Sequence, residues 1–381
     1  MAIRVAAPAP QFVGPTFTLI ACDWSTPLAV IDTFESATII ARHNDVSTWD
    51  LTLPADTDAA AVLLASSRPR VLFSNGANVY RSGPVVRLDR QANDEGDVEM
   101  LVVTGVDDLV WLRRRLAHPQ PGTAAPPYST TAYDTRTGAA SQVVAGYVDR
   151  NAGAAAVAAR QVPGLVVAPP AAFGGTVTVN ARYDNLLEFV QGIANAAGIG
   201  FRVRDLAFEV FTPTGAAVFS VDLGTLAGWE GIVEAPDLTY VYVAGQGEGT
   251  ARTIREYADA AGLAAWGRIE GFRDRRDTND AATMDQAGAE TLAEAAKPPI
   301  VDMESVDTPS QAFLTDWNVG DTAVVVIGST TITDVIVEAE ITLEPNAPAI
   351  VRPALGGSPV DLAQWRAVNL TNRRLRQLER I

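Results

Sequence analysis

The stretch Leu238–Thr253 reads LTYVYVAGQGEGTART, and the reading of its glycines decides the fold. A phosphate-cradling loop needs Lys followed by Ser or Thr after the glycines, and a dinucleotide fingerprint needs a helix behind the third glycine. Here Gly249 is followed by Thr250, Ala251, Arg252, Thr253 and Ile254, which reads as a second strand. The segment is therefore expected to be a β-hairpin whose tip, Gly245–Gly249, uses glycine for turn conformations closed to other residues. A nucleotide site gives way to a β-rich fold.

Strand patterns extend outward from this hairpin. In Val335–Leu343 the residues Val335, Val337, Ala339, Ile341 and Leu343 are expected on one face, with Glu338, Glu340 and Thr342 on the other. Trp49, Leu51 and Leu53 alternate with Asp50 and Thr52 in the same manner, and Asn75-Gly76 and Glu95-Gly96 are turn signals. Asp107 or Asp108 is placed to cap a short helix with Leu109, Leu112 and Leu116 on one stripe, halted before Pro119. Residues 1–118 thus read as a β-rich domain closed by a helix, and the Pro-, Ser- and Thr-rich residues 119–135 as a linker. Residues 136–235 read as an α+β module: a helix pair over Ala140–Arg160 around Gly153, a strand at Thr176–Asn180, and a helix capped by Asp184 and ended by Gly198. A second β-rich domain is expected over 236–345, with one helix from about Thr283 to Ala296 stopped by Pro298-Pro299. Asp316–Asp321 reads there as a turn into the strand Ala323–Ile327. Residues 346–381 read as a Pro/Gly linker and an amphipathic helix, with Trp365, Val368, Leu375 and Leu378 on its apolar side. The fold class is α+β and β-rich, with two barrel- or sandwich-like β domains.

Composition narrows the function classes. The 381 residues carry a net charge of −16, which argues against a nucleic-acid binder held by phosphate contacts. Of the 29 basic residues only Lys297 is lysine, so nearly every salt link available is a planar guanidinium. The single cysteine, Cys22, excludes an internal disulfide and reads as a small core residue. Met1–Gln11 lacks the apolar core of a secretory signal, and no run reaches the length of a membrane span. Assembly in the cytoplasm is expected. The last 21 residues reverse the charge, with Arg366, Arg373, Arg374, Arg376 and Arg380 against Asp361 and Glu379, which suits docking on a neighbour.

Catalytic candidates are few, and no cofactor is expected. His43-Asn44-Asp45 sets an imidazole near a carboxylate, but no Ser or Cys stands in an activating context, so His43 reads as a turn or surface residue. His118 precedes Pro119 at a helix end, where an imidazole can meet the last carbonyls. Two histidines and one cysteine cannot build the usual soft-metal site. Asp274, Asp277 and Asp280 recur every three residues, the wrong spacing for a calcium loop. Interleaved with Arg273, Arg275 and Arg276, they read as a salt-linked surface or subunit contact.

The hairpin stretch, together with Ala265–Glu270 (AWGRIE), Phe272–Asp277 (FRDRRD) and Asp316–Asp321 (DWNVGD), resembles minor tail proteins of siphophages that infect actinobacteria, in particular the tail-hub family. The likeness reaches back through Asn44–Pro54, Thr104–Leu112, His118-Pro119, Tyr147–Gly153 and Ala181–Leu187, in order, over roughly residues 15 to 345. The resemblance implies a virion structural protein at the tail tip: a homotrimer of two tube-like β domains per chain closing the distal end of the tube. Its implied partners are the distal tail protein, the tape-measure protein and fibres or a spike, with DNA passing through without specific binding. Glu338, Glu340 and Glu344 are then expected to face the channel or open solvent, because anionic walls repel DNA. Trp365, Val368, Leu375, Leu378 and the Arg273–Asp277 run are the expected oligomer or partner contacts. Hub proteins often continue into fibre or hydrolase domains, whereas this sequence ends at Ile381, so host recognition is expected on other polypeptides. Two alternatives remain: a receptor- or carbohydrate-binding tail component displaying exposed aromatics such as Trp24, Trp229, Trp266 and Trp317, and a wall-degrading enzyme with a perturbed carboxylate in a cleft.

Overall fold

The computed structural model describes residues 15–92, 99–123, 130–232, 234–276, 278–297, 300–328, 330–345 and 347–356. The Glu95-Gly96 turn, Asp277, Pro298-Pro299, and Trp365, Val368, Leu375 and Leu378 lie outside these residues. The chain divides into two compact units, residues 1–229 with 303–354 and residues 230–302 with 355–381. The division therefore falls elsewhere than at the 119–135 segment.

The first unit opens with strands β1 (Thr18–Asp23), β2 (Thr26–Ile31), β3 (Ser36–Arg42) and β4 (Thr48–Pro54), helix α1 (Asp58–Ala65), and strands β5 (Pro69–Asn75), β6 (Asn78–Ala92) and β7 (Glu99–Val106). Alternation along β4 is as expected: Trp49, Leu51 and Leu53 are buried and Asp50 is exposed. The indole of Trp49 lies over Gly105 of β7, where an added Cβ would sit 1.9 Å from Cζ2. Helix α1, which the strand pattern hid, is capped by Thr57, whose hydroxyl accepts from the Ala60 amide. Strand β6 changes partners midway. Asn78–Pro84 pairs with β5 and Val85–Ala92 with β7, and a bulge after Val85 turns the strand from one layer to the next.

Beyond β7 the chain builds an α+β module on the end of this sheet. It comprises α2 (Val110–Arg113), β8 (Leu116–Ala117), β9 (Asp134–Ala139), α3 (Ala140–Asn151), β10 (Val166–Val167), β11 (Thr176–Ala181), β12 (Asp184–Asn185), α4 (Leu186–Ala196), β13 (Gly200–Arg204) and β14 (Ala207–Phe211). Three sequence expectations shift here. Helix α2 is a single turn, so Leu116 sits exposed in β8 instead of on the helix stripe. The expected helix pair is one helix, α3, followed after Gly153 by a 3-10 turn at Ala158–Arg160. The cap of α4 is Asn185, one residue beyond Asp184, its side chain accepting from the amides of Leu187 and Glu188. Leu186, Leu187, Val190 and Ile193 face inward as expected and pack against Val144, Tyr147 and Val148 of α3.

Strands β15 (Ala216–Ser220) and β16 (Leu226–Ile232) follow. In the second unit lie β17 (Tyr240–Ala244), β18 (Ile254–Ala258), α5 (Ala260–Trp266), β19 (Glu270–Asp274) and α6 (Ala281–Ala295). The hairpin is present, with β17 antiparallel to β18. Its second strand begins at Ile254, because Gly249–Ala251 form a 3-10 turn and the loop takes up Gly245–Thr253. Gly247 at φ +109 and Gly249 at φ +53 use the conformations reserved for glycine. Helix α5 carries the chain across to β19, which lies parallel to β17, and α6 packs Met284 and Ala287 on Val241 and Val243. Asp280 caps α6 from the Thr283 amide.

The remaining strands are β20 (Ile300–Ser305), β21 (Thr322–Ile327), β22 (Thr330–Leu343) and β23 (Ile350–Leu355). The β-rich region they form is hydrogen-bonded to the first one. The strand order β23-β22-β3-β4-β7-β6-β5-β1-β2 joins both ends of the sequence in one curled sheet, extended by β20 and β16, whose residues Met303–Ser305 and Leu226–Trp229 belong to the first unit. Long β22 pairs first with β21 and then with β3, and β21 pairs in parallel with β15. Strand is thus the prevailing secondary structure, with buried residues along the sheet and under the α+β module.

Candidate functional site

Burying a charge is costly unless a partner and hydrogen bonds compensate it, so the buried ions mark where the sequence spends polarity. Asp107 and Asp108 end β7. Asp108 accepts from Arg70 Nη2 at 2.5 Å, Ser82 Oγ at 2.5 Å and Trp111 Nε1 at 3.1 Å. Both side chains of the Arg70–Asp108 pair are fully buried, and Arg70 Nη1 also donates to the Trp24 carbonyl. Asp107 accepts from the Leu109 amide, but the N-cap of α2 is Leu109, which makes no side-chain capping bond, so neither expected aspartate is the cap. Burial pushes the Asp107 carboxyl up to about 6, opposed chiefly by Arg81. Burial also raises Asp108, against the pull of Arg70. The seam ties β5 and β6 to the α+β module, and Arg70 Nη1 also stands 4.0 Å from the exposed Asp205.

Beside it, Arg42, His43, Asn44, Arg81, Phe201, Arg202, Phe211, Asn318 and Val319 line a cavity of about one water's size, too small for a substrate. His43 is held here, not at a free surface: burial lowers its pKa to about 4, and its ring fills the space over Gly320, where a Cβ would fall 2.4 Å from Nδ1. Asn44, in a left-handed turn at φ +52, bonds Asn195, the Ile199 carbonyl and the Phe201 amide. Cys22 is buried, and desolvation raises its thiol to about 11, which removes it as a nucleophile at neutral pH. Among the described residues no group of His, Cys, Asp and Glu is placed to hold a metal ion, and no helix is long and apolar enough to cross a membrane.

The expected channel-facing residues separate. Glu338 is 1% exposed and accepts from Arg42 Nε at 2.8 Å, so it does not face a channel or open solvent. The cause is the partner change in β22: its pairing with β21 ends at Val335 and its pairing with β3 begins at Glu338, and at this junction Ile336 and Glu338 are buried on one face while Ala339, Ile341 and Leu343 are buried on the other. Glu340 is half-buried, with Arg352 Nη1 at 3.9 Å, and Glu344 is exposed. Arg273 and Asp274 are exposed on β19, where Asp274 pairs with Arg252 and with Arg276 at 3.2 Å. Arg275 donates its amide to the Ala244 carbonyl. The tryptophans scatter: Trp317 is core, Trp24 packs on Trp111, and Trp229 and Trp266 are exposed. The buried arginines Arg70 and Arg81 escape the sequence reading, since nothing in PRVLFSN or NVYRSG distinguishes an inward guanidinium from an outward one.

Residues 25–357 match the model of the family described as Siphovirus ReqiPepy6 Gp37-like protein. No curated protein matches the sequence. Three solved structures share the fold over nearly their whole lengths. A tail protein from Neisseria meningitidis MC58 has a TM-score of 0.56 at 10% identity, covering 90% of this chain and 96% of that one. The 43 kDa tail protein of prophage MuSo2 from Shewanella oneidensis gives 0.56 at 10% identity, covering 89% and 97%. The prophage tail protein gp18 from Listeria monocytogenes EGD-e gives 0.53 at 11% identity, covering 93% and 99%.

Proposed function

Since the chain belongs to the Siphovirus ReqiPepy6 Gp37-like protein family, we propose that it is a structural component of the siphophage tail, the hub that closes the distal end of the tail tube. In this reading three copies surround the path of the DNA at the tail tip. The distal tail protein lies above, the tape-measure protein inside, and fibres or a spike below. The observation that carries the reading is the extent of the fold match, which takes in 89–93% of this chain and 96–99% of three tail proteins. A shared domain grafted onto another architecture would leave one partner largely uncovered.

Two physical features agree with it. The polar groups buried in the seam are directed inward at one another, as a load-transmitting scaffold requires and a catalyst does not. The excess of acid, with Glu340 and Glu344 at accessible positions, suits a channel wall that DNA must pass without counterion-release binding. Glu340 and Glu344 are the proposed lumen residues. The salt-linked run at Arg273–Arg276 and the terminal Trp365, Val368, Leu375 and Leu378 are the proposed contacts with neighbours. The proposed role is non-enzymatic. Labelling purified virions with antibody to this chain and averaging images about the tail axis tests the reading. Three copies at the distal tip are expected; absence from the particle, or a position along the shaft, overturns it.

A further inference from the structure

On a protein with 45 acidic and 29 basic residues, a cationic surface without internal counter-ions calls for an external one. Such a surface lies on the α+β module. Arg115 donates from Nε to the Arg160 carbonyl, burial and then the Arg160 charge lower the His118 pKa, and the His118 ring meets Tyr183 edge-on at 5.2 Å. Arg182 follows over the Tyr133 ring. None of Arg114, Arg115, Arg160 or Arg182 has a carboxylate partner among the described residues. Asp184, which follows Arg182 by two residues, accepts from the Arg182 backbone amide.

Two further features mark this surface as incomplete. Arg160 Nη1 and His118 Nδ1 are shielded from water and have no hydrogen-bond partner, while Arg160 Nη2 donates to the Pro121 carbonyl; unpaired buried polar groups are costly. Tyr183 is held at φ +62, a region costly for a bulky residue, and that strained turn leaves it 40% exposed beside the exposed Tyr133 and Leu116. Tyr and Arg around an apolar residue is the composition of an interface centre.

The complementary charge lies at the other end of the same strands. The module follows the Thr48 and Val106 ends of β4 and β7. At the opposite ends, Asp32, Glu35 and Asp56 are exposed in the loops before β3 and after β4, and Asp58 is exposed in the first turn of α1; no ion pair neutralises them among the described residues. A strand of this length, roughly 20 Å at about 3.3 Å per residue, separates the two poles. We propose that the surface around Arg114, Arg115, Arg160, Arg182, Tyr133 and Tyr183 binds the carboxylates of Asp32, Glu35, Asp56 and Asp58 of a second copy of this chain. The contact is head-to-tail, and a head-to-tail contact forms a closed ring when its rotation closes. The inference rests on the oligomeric reading above and assigns its interface.

The test uses the full chain and its mass in solution by light scattering, from low micromolar concentration upward, at low and high salt. The variant Arg114→Glu/Arg182→Glu changes two exposed guanidiniums. It is expected to raise the dissociation constant about tenfold or more, as is Asp56→Arg/Asp58→Arg; the four-fold variant carrying both swaps is expected to recover association. Circular dichroism melts check that each variant is folded, and Arg160→Gln gives a neutral control with the same direction of effect. A wild-type oligomer that persists unchanged in both swaps overturns this interface while leaving the hub reading intact. A wild-type monomer at every concentration overturns the proposed contact, whereas only absence of the chain from the tail tip overturns the hub reading. Loss of single-stranded DNA binding in Arg114→Glu/Arg182→Glu, with association unaffected, would identify a nucleic-acid occupant and reject the second copy.

Discussion

Replacing Arg70 by Met tests how much the buried seam holds the first unit together. The Arg70 and Asp108 side chains are both fully buried and meet at 2.5 Å, so removing one leaves the other without counter-charge. Breaking such a pair costs about 3–5 kcal/mol. Asp108 would retain its bonds from Ser82 and Trp111, which places the expected loss near the lower end. Its carboxyl is already raised by burial and held down by Arg70, so the variant's Asp108 rises further. A raised carboxyl pKa penalises the native state above that pKa and not below the unfolded value; the gap between wild type and Arg70→Met therefore narrows as pH falls from 7 toward 4. Neutralising the survivor in Arg70→Met/Asp108→Asn is expected to restore part of the loss at pH 7. Arg70 Nε is itself without a partner, so the native pair is not ideally satisfied. Urea titrations followed by tryptophan fluorescence at pH 5 and 7 report these differences, since Trp24 and Trp111 border the pair. A loss below about 1 kcal/mol at pH 7, within the range of an exposed ion pair, would refute the reasoning, and so would a double variant less stable than the single.

Asp107 and His43 have opposite expected pH signatures. The Asp107 carboxyl stands at about 6 instead of 3.8, so its ionisation subtracts about 3 kcal/mol once pH exceeds 6; Asp107→Asn should flatten the fall in stability between pH 4 and 6. His43 is lowered to about 4, so its burial as the neutral form is lost as pH drops from 6.5 toward 4, and His43→Gln should flatten that limb in the same titrations. Gly105→Ala drives a methyl group into the Trp49 indole and is expected to cost about 1–3 kcal/mol, with partial rescue by Trp49→Phe in thermal melts; an unchanged melting temperature would reject the packing argument. Glu340→Lys/Glu344→Lys puts cations at the proposed lumen positions and is expected to slow DNA release from assembled particles at low salt, with stability of the isolated chain little changed.

What could be read from the sequence follows the range of the interactions that write it. Trp49, Leu51 and Leu53 declare their face because alternation is local, and Leu186–Ile193 declare a helix because its stripe recurs every turn. Gly247 and Gly249 announce a loop because only glycine tolerates their backbone angles. The limits appear where one strand serves two neighbours. Val335–Leu343 looks like a single alternating strand, yet β22 leaves β21 and joins β3 within it, and Glu338 falls on the inner side opposite Arg42. The partner that makes that burial tolerable lies 296 residues away, beyond any window of local pattern. Asp107 and Asp108 show the same effect: as sequence they are helix-cap residues, and only the fold brings Arg70 and Arg81 beneath them. The joining of the two β-rich regions is hidden for this reason too, since β22 and β23 pair into the sheet begun by β1–β7 and no local signal records which sheet a strand joins. In this chain the residues legible alone are those whose neighbours are a few positions away. The ion pairs that fix the tertiary frame join distant segments, which is why a surface polarity running from Asp56 to Arg182 emerges only when the strands between them are laid side by side.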